Sequence, residues 1–256
     1  MNDQPLKVWH DRDGKLLRLR LARPKANIVD AAMIAALTQA LAENLGDPLL
    51  SAVLIDHEGP HFSFGASVQE HLPGQFAAML KGFNALILAM VAAPVPILVA
   101  VRGQCLGGGM EVALAGNLIF AAPDAKFAQP EIQLAVFAPP ASCLLPERIG
   151  RSAAEHLLLS GQAIGSDEAY RLGLVHAVAA EPDAAALAYF DQALAAHSPS
   201  SLRIALRAAR FDLVERIKTK LAILEELYIT ELMSTSDAVE GLTAFLDKRP
   251  AKWEGR

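Results

Sequence analysis

The stretch that decides the fold of this chain covers residues 97–111 and reads ILVAVRGQCLGGGME. Its first five residues, Ile97–Val101, are apolar and rich in β-branched side chains, which predicts a buried strand. The glycines at 107–109 then predict a tight turn from strand to helix, where backbone N–H groups face a ligand without side-chain obstruction. Because the next helix adds the positive end of its dipole, the turn could hold a phosphate or an oxygen that becomes negative during a reaction. The alternative is a purely structural turn that binds no ligand and only packs a helix onto the sheet.

The phosphate interpretation is the weaker one, because no Walker lysine follows the glycines. A second turn of small residues favours the other interpretation. Residues 61–67, HFSFGAS, follow an apolar strand predicted at 52–56. Two strand ends with exposed N–H groups could converge on one oxygen. Removing one such donor in other enzymes costs ~10²–10³ in rate, so a pair would be an effective catalytic device.

The flanking sequence repeats strand and helix. Leucines alternate with arginines at 17–21, which predicts a half-buried strand, and leucines at helical spacing predict a helix at 34–45. Another helical pattern covers 76–90, between the strands at 52–56 and Ile97–Val101. Strand, helix and strand in repetition predict parallel pairing with right-handed crossovers.

The pattern changes after Gly150. Residues 152–155, SAAE, form a capping-box sequence that predicts a helix start, and 174–178 looks like a strand. Nearly everything beyond Pro182 is helical in pattern. We therefore expect an α/β core over 1–180, which contains both predicted turns, and a helical portion over 181–256.

Composition narrows the class of protein. The chain has 256 residues, 53% of them hydrophobic, and a net charge of −5, which argues against a nucleic-acid groove. Cys105 and Cys143 are its only cysteines, so no disulfide framework is expected. The N-terminus has no apolar signal segment, and prolines at 94 and 96 interrupt the longest apolar run. We expect a cytoplasmic protein with no membrane contact, and no metal, because the histidines lack ligand spacing.

Two glutamates accompany the predicted turns. Glu111 begins the helix after the glycines, and Glu131 follows in the sequence Gln129-Pro130-Glu131. Either glutamate alone could be a solvated surface charge, but two acids near an oxyanion site favour general acid–base catalysis. We expect the helix dipole to keep Glu111 ionised and the apolar surroundings of Glu131 to raise its pKa.

These motifs resemble the enoyl-CoA hydratase/isomerase (crotonase) family. The resemblance rests on three motifs in this order: Phe-x-x-Gly-Ala at 62–66, Gly-Gly-Gly-x-Glu at 107–111 and Gln-Pro-Glu at 129–131. The segments at 159–175 and 240–250 are similar to later parts of the same family. The resemblance covers nearly the whole chain. It implies an α/β fold with a crotonase-type ββα spiral core, and a helical C-terminal portion that assembles trimers or dimers of trimers.

The same resemblance implies roles for individual residues. The backbone N–H groups of Ala66 and Gly108 would form the oxyanion hole, and Glu111 and Glu131 would be the two catalytic glutamates. Phe245 and Lys248 would reach the CoA of a neighbouring subunit. The substrate would be an acyl-CoA thioester, with no further cofactor. The residues implied in CoA binding are Lys25, Ala26, Phe64, Ala66, Phe245 and Lys248.

One segment departs from the family pattern. A glycine-rich segment is expected after Gln-Pro-Glu, but residues 134–141 read LAVFAPPA, where two prolines stiffen the chain and Phe137 adds bulk. The acyl pocket should therefore differ from that of enzymes for straight-chain enoyl groups. The sequences of residues 62–73 and 137–140 are similar to those of cyclohexa-1,5-diene-1-carbonyl-CoA hydratases of aromatic (benzoyl-CoA) degradation. The residues expected to line the acyl pocket are Val68, His71, Phe137 and Pro139.

Hydration of an α,β-unsaturated or dienoyl thioester, or the reverse dehydration, is the leading predicted function. A double-bond isomerase needs one base more than two, so the presence of both glutamates counts against it. A ring or thioester hydrolase on the same scaffold remains open. A non-catalytic homologue that binds RNA or protein is disfavoured by the acidic charge and the intact carboxylate pair.

Overall fold

A mixed α/β core and a helical C-terminal portion make up the computed structural model, which describes residues 4–256. The strands, in chain order, are β1 (Leu6–Asp11), β2 (Leu16–Leu21), β3 (Ala52–His57), β4 (Ile97–Val101), β5 (Gln104–Leu106), β6 (Leu118–Ala121), β7 (Lys126–Ala128), β8 (Ile164–Gly165) and β9 (Ala177–Val178). The helices are α1 (Ala31–Asn44), α2 (Phe76–Val91), α3 (Gly108–Ala115), α4 (Pro139–Ile149), α5 (Arg151–Ser160), α6 (Ser166–Arg171), α7 (Pro182–Tyr189), α8 (Pro199–Ala209), α9 (Leu213–Thr230) and α10 (Ser236–Leu246).

Two sheets organise the core. Within residues 4–256 the larger sheet has six strands in the order β1-β2-β3-β4-β6-β9, and only β1 and β2 pair antiparallel. The smaller sheet has the order β5-β7-β8, with β5 parallel to β7. The predicted strand–helix–strand repeats are confirmed: α1 connects parallel β2 and β3, and α2 connects parallel β3 and β4.

Both faces of the larger sheet are buried. One face packs against α1, α2 and α3 in the main core, while the other packs against α7 through residues such as Leu54, Phe120 and Phe190. The strand predicted at 17–21 is confirmed as β2, but the expectation that it is half-buried was wrong. Arg18 is only 5% exposed, because it forms an ion pair with Asp56 and its guanidinium lies over the Trp9 ring.

Two other local predictions were wrong. The sequence at 152–155 does not cap a helix, because α5 already begins at Arg151 and Gly150, at φ +74°, supplies the break from α4. The strand predicted at 174–178 is reduced to β9. The N–H groups of Leu174 and Val175 instead bond the carbonyl of Ala169 at the end of α6, at 2.9 and 3.1 Å.

The C-terminal helices fold back on the core. α9 packs on α2 and α4, and α10 lies so close to the core that a Cβ on Gly241 would come within 2.2 Å of the Leu134 carbonyl oxygen. Large apolar side chains of this portion nevertheless face outward: Ile204 on α8, Ile223 on α9 and, in the turn between these helices, Phe211, which is 86% exposed. Of the helices described, none is long and apolar enough to cross a membrane.

Candidate active site

The two small-residue turns predicted from the sequence lie side by side. The helix α3 does not follow β4 directly, as the sequence suggested, because β5 intervenes. Ser63, at the start of the first turn, pairs with β5: its N–H donates to the Gln104 carbonyl at 3.0 Å, and its carbonyl accepts from Leu106 N–H at 3.0 Å. This pairing fixes the turn before Ala66 against the turn before Gly108.

The contact between the turns is tight at Ala66 and Gly108. A Cβ built on Gly108 would lie 3.0 Å from both the backbone nitrogen and the Cβ of Ala66, so no larger residue fits there without movement. Within residues 4–256, no protein oxygen accepts a hydrogen bond from either N–H. Both residues line one cavity. Two unpaired donors on one wall are the arrangement that a developing oxyanion requires.

Glu111 projects from the first turn of α3 and is 4% exposed. Its Oε1 accepts a 2.9 Å hydrogen bond from the backbone N–H of Ala141. Because Pro139 and Pro140 have no N–H, Ala141 is the first residue of α4 that can donate in this way. Burial raises the pKa of Glu111 well above its ordinary value, and the nearby charge of Glu131 raises it further.

The opposite end of α3 is held by a partly buried side chain, that of Arg148. The guanidinium of Arg148 donates to the carbonyl of Leu114 at 3.0 and 2.8 Å, and to those of Gly116 and Asn117. These are carbonyls at and just beyond the end of the helix, which otherwise lack partners. A cation at a helix C-terminus is also favoured by the dipole. Arg148 thereby fixes the helix that carries Glu111.

Glu131 lies in a short 3₁₀ segment, Pro130–Leu134, and faces the same cavity. With its amide nitrogen turned toward Glu131, the buried side chain of Gln129 donates to both carboxylate oxygens, at 3.2 and 3.0 Å. A Cβ on Gly107 would lie 2.5 Å from Glu131 Oε1, so this glycine leaves the space that the carboxylate fills. Burial raises the pKa of Glu131 as well.

The expected ionisation of the pair is only half right. The raised pKa of Glu131 is confirmed in direction, but the expectation that the helix dipole keeps Glu111 ionised was wrong. Desolvation of a carboxylate that is 4% exposed outweighs the dipole, which typically contributes ~0.3–1 kcal/mol. The charges of the two carboxylates interact, so the groups titrate as a pair, and the pKa of each is raised.

The cavity between these groups has a volume of about 180 Å³. Apolar residues dominate its walls, and the two glutamates and His71 are among its few polar side chains. All four residues predicted for the acyl pocket lie on its lining. The predicted site residues found there are Phe64, Ala66, Val68, His71, Gly108, Glu111, Glu131, Phe137, Pro139 and Phe245.

His71 faces the cavity as a neutral ring. Its Nδ1 lies 2.8 Å from the Ser67 carbonyl oxygen and donates to it, which leaves Nε2 as a hydrogen-bond acceptor. Burial lowers the pKa of the imidazole, which favours this uncharged form.

Three residues predicted to bind CoA lie outside the cavity lining: Lys25, Ala26 and Lys248. Lys25 and Ala26 are nevertheless fixed next to it, because the Ala26 carbonyl accepts from Phe64 N–H at 2.9 Å. Buried Asn27 holds this loop through 3.0 Å bonds from its amide to the carbonyls of Glu58 and His61. Lys25 and Lys248 are exposed cations.

Phe245 lines the cavity of its own chain, where the close packing of α10 on the core at Gly241 places it. Its expected contact with the CoA of a neighbouring subunit stays a prediction. Within residues 4–256 no group of three or more His, Cys, Asp or Glu side chains is arranged to hold a metal.

Sequence reasoning missed several residues of the site. Gln129 was quoted only as part of a motif, and Ala141 only as part of a divergent segment. Tyr228, which also lines the cavity, looked like one more apolar position in the stripe along α9. The phenolic hydroxyl at a buried position was the signal that could have singled it out.

Comparison with known proteins agrees with this geometry. Residues 11–256 match the family model described as enoyl-CoA hydratase/isomerase. The chain is 66% identical, over 98% of both chains, to a cyclohexa-1,5-dienecarbonyl-CoA hydratase of Thauera aromatica. It is 32% identical to a 2,3-dehydroadipyl-CoA hydratase of Escherichia coli K12, over 96% of this chain and 97% of that one.

A solved enoyl-CoA hydratase from Mycobacterium avium subsp. paratuberculosis K-10 has the same fold. It superposes with a TM-score of 0.85 at 24% identity, covering 97% of this chain and 98% of the other. The crotonase-type fold class expected from the sequence is therefore confirmed. With its family match over residues 11–256 and its near-complete alignment to these relatives, the chain belongs to the enoyl-CoA hydratase/isomerase family.

Proposed function

We propose that this chain is a hydratase that adds water to a cyclic dienoyl-CoA thioester, cyclohexa-1,5-diene-1-carbonyl-CoA. The observation that carries the proposal is the pair of glutamates in one apolar cavity, which is also lined by the residues of two unpaired backbone N–H groups. The 66% identity to a hydratase of that name supports the choice of substrate.

The size of the cavity suits a six-membered ring. An apolar cavity of about 150 Å³ is enough to bind benzene in another protein. The present cavity, at about 180 Å³, holds a ring and leaves space for one water beside the carboxylates. Phe137 and Pro139 lie on its lining, and we expect these rigid side chains to disfavour a long linear acyl chain.

The proposed chemistry begins at the thioester carbonyl. Its oxygen accepts hydrogen bonds from the N–H groups of Ala66 and Gly108, which stabilise the negative charge that collects there. The ionised member of the glutamate pair takes a proton from water while the water oxygen bonds to ring carbon 2, the position conjugated with the carbonyl. The electrons of the C1–C2 double bond move onto the thioester as a dienolate.

Protonation of carbon completes the addition. The protonated glutamate gives its proton to the dienolate, and the base that took a proton from water restores the pair. Delivery to carbon 5 leaves the remaining double bond conjugated with the thioester, whereas delivery to carbon 1 leaves it isolated. We therefore propose the conjugated product, a ring hydroxylated next to the carbon that carries the thioester.

Substrate recognition extends beyond the acyl group. We propose that Lys25, Ala26, Phe64, Phe245 and Lys248 contact the CoA part, with the exposed lysines meeting its phosphates. CoA enters only as part of the substrate, and no other cofactor takes part in this chemistry. The protein would act in the cytoplasm.

Assembly into a trimer or a dimer of trimers is the remaining part of the proposal. The C-terminal portion exposes the apolar side chains of Ile204, Phe211 and Ile223, which is more apolar surface than a monomer usually leaves in water. Sedimentation at micromolar concentration tests this, since a stable monomer would contradict it.

The function is tested by incubating the pure protein with cyclohexa-1,5-diene-1-carbonyl-CoA, cyclohex-1-ene-1-carbonyl-CoA and crotonyl-CoA in H₂¹⁸O. We expect the dienoyl thioester to gain one labelled water, with kcat/KM ~10²-fold above crotonyl-CoA, the range of discrimination by pocket shape. An absorbance change without a mass change would indicate an isomerase. Release of free CoA would indicate a thioester hydrolase.

A further inference from the structure

The hydroxyl of Tyr228 is a polar group of the cavity that the proposed chemistry has not yet used. Tyr228 lies near the end of α9, is 1% exposed and lines the cavity. Its ring is held between Phe76 and Phe137, with centroids at 6.4 and 5.3 Å. Two aromatic neighbours fix the ring, so the direction of its hydroxyl is set by packing.

Within the described residues this hydroxyl has no hydrogen-bond partner. A buried hydroxyl without a partner is costly, and phenylalanine would fill the same space without that cost. The charges of Glu131 and Glu111 raise the pKa of the phenol, after burial itself, so the group stays a neutral donor. A donor that lies close to both carboxylates and lacks a protein acceptor is suited to an acceptor brought by the ligand.

The chemistry of the ligand limits what that acceptor is. The acyl ring of the proposed substrate is a hydrocarbon, and its thioester oxygen lies at Ala66 and Gly108. The oxygen that enters the acyl end of the cavity is therefore that of the water, which becomes the hydroxyl of the product. It must lie beside the glutamates, and their charges act on the Tyr228 hydroxyl, which belongs to a residue lining the same cavity.

We propose that the Tyr228 hydroxyl donates a hydrogen bond to the attacking water and then to the product hydroxyl. This inference rests on the proposed hydration. Tyr228 is then a third group around the water, together with Glu111 and Glu131. The bond orients a lone pair of the water toward the ring carbon, and it makes the site favour hydroxylated over unhydroxylated acyl groups.

The test compares Tyr228→Phe with Tyr189→Phe. Tyr189 packs on Phe120 and His176 on the other face of the sheet, so its variant removes a hydroxyl outside the cavity. Two probes are titrated: synthetic 6-hydroxycyclohex-1-ene-1-carbonyl-CoA, which carries the hydroxyl, and cyclohex-1-ene-1-carbonyl-CoA, which lacks it. Melting temperatures without ligand are measured in parallel.

We expect Tyr228→Phe to weaken binding of the hydroxylated probe by ~5–10-fold, the worth of one neutral hydrogen bond, and the other probe by less than about twofold. Its melting temperature should equal or exceed that of the unchanged protein, and Tyr189→Phe should bind both probes normally. Equal effects on the two probes, no effect on either, or a clearly lower melting temperature would overturn the proposal. Binding needs no turnover, so this result stays separate from a failure of the hydration assay.

Discussion

The backbone N–H of Ala141 donates a 2.9 Å hydrogen bond to Glu111 Oε1, which joins the proline-containing start of α4 to the helix α3. This bond satisfies one oxygen of a carboxyl group that is almost wholly buried. The other oxygen has no protein donor among the described residues, so it is available to a ligand in the cavity. The segment that departs most from the family pattern thus orients Glu111.

The raised pKa of Glu111 has a consequence for stability. Between an ordinary glutamate pKa of about 4.3 and the raised value, the folded protein keeps a proton that the unfolded chain loses. Because the folded state binds more protons in this window, stability falls as pH rises through it. Glu111→Gln removes the ionisation, so we expect a melting temperature clearly higher than that of the unchanged protein at pH 8.

The difference should shrink as the pH falls and vanish at about pH 3, where the carboxyl group is protonated in both states. Glu155→Gln, which changes an exposed glutamate of α5, is the matched control and should shift the melting temperature at neither pH. A Glu111→Gln protein that is less stable than the unchanged one at pH 8 would contradict the burial argument.

The contact between Gly108 and Ala66 gives a prediction about the oxyanion hole. Gly108→Ala suits a helix, but its methyl group would lie 3.0 Å from Ala66 N and press the two turns apart. We expect kcat to fall ~10²-fold, as when one oxyanion donor is misplaced. Gly46→Ala adds a methyl group where nothing lies within 4 Å and should keep full activity. Full activity of Gly108→Ala would mean that these N–H groups do not bind the reacting oxygen.

Arg148 provides a prediction about the support of the site. Arg148→Met keeps much of the side-chain volume but leaves the carbonyls of Leu114, Gly116 and Asn117 without their donors. Each unsatisfied buried carbonyl costs ~1–3 kcal/mol, and a domain of this size loses ~2–4 °C per kcal/mol. We expect a melting temperature lower by at least ~5 °C. Arg151→Met, at a side chain that is 87% exposed, should shift it by less than about 2 °C. Equal shifts in the two variants would contradict this role.

The sequence predicted the parts of the fold that follow from local pattern. The strand Ile97–Val101 and the helices α1 and α2 carry strong apolar periodicity, and their bounds agree with the prediction within a few residues. The short strand β5 could not be predicted, because its pairing partners, Ser63 and β7, come from distant parts of the chain. The burial of Arg18 depends in the same way on Asp56, which is 38 residues away.

The active site likewise has features that the sequence predicts and features that depend on tertiary packing. The glycine turns and the glutamates could be selected from the sequence because their residue types suit one chemistry. The pKa values of the two glutamates could not be predicted from the sequence, because they depend on how deeply α4 and the C-terminal helices bury the carboxyl groups. Tyr228 joins the site only because α9 packs across the core onto α2, a contact between residues far apart in the chain.

The central claim is that two glutamates together add water to the ring, and the most direct test is the hydration rate of Glu111→Gln and Glu131→Gln. Both variants keep the side-chain shape and remove the titrating group. We predict that each lowers kcat for the dienoyl thioester by ~10²–10⁴, with little change in KM, because positioned acid–base groups act in the transition state. Thioester binding should persist in both, since the oxyanion donors belong to the backbone. A fully active Glu111→Gln beside an inactive Glu131→Gln would contradict the account and point to a one-base isomerase.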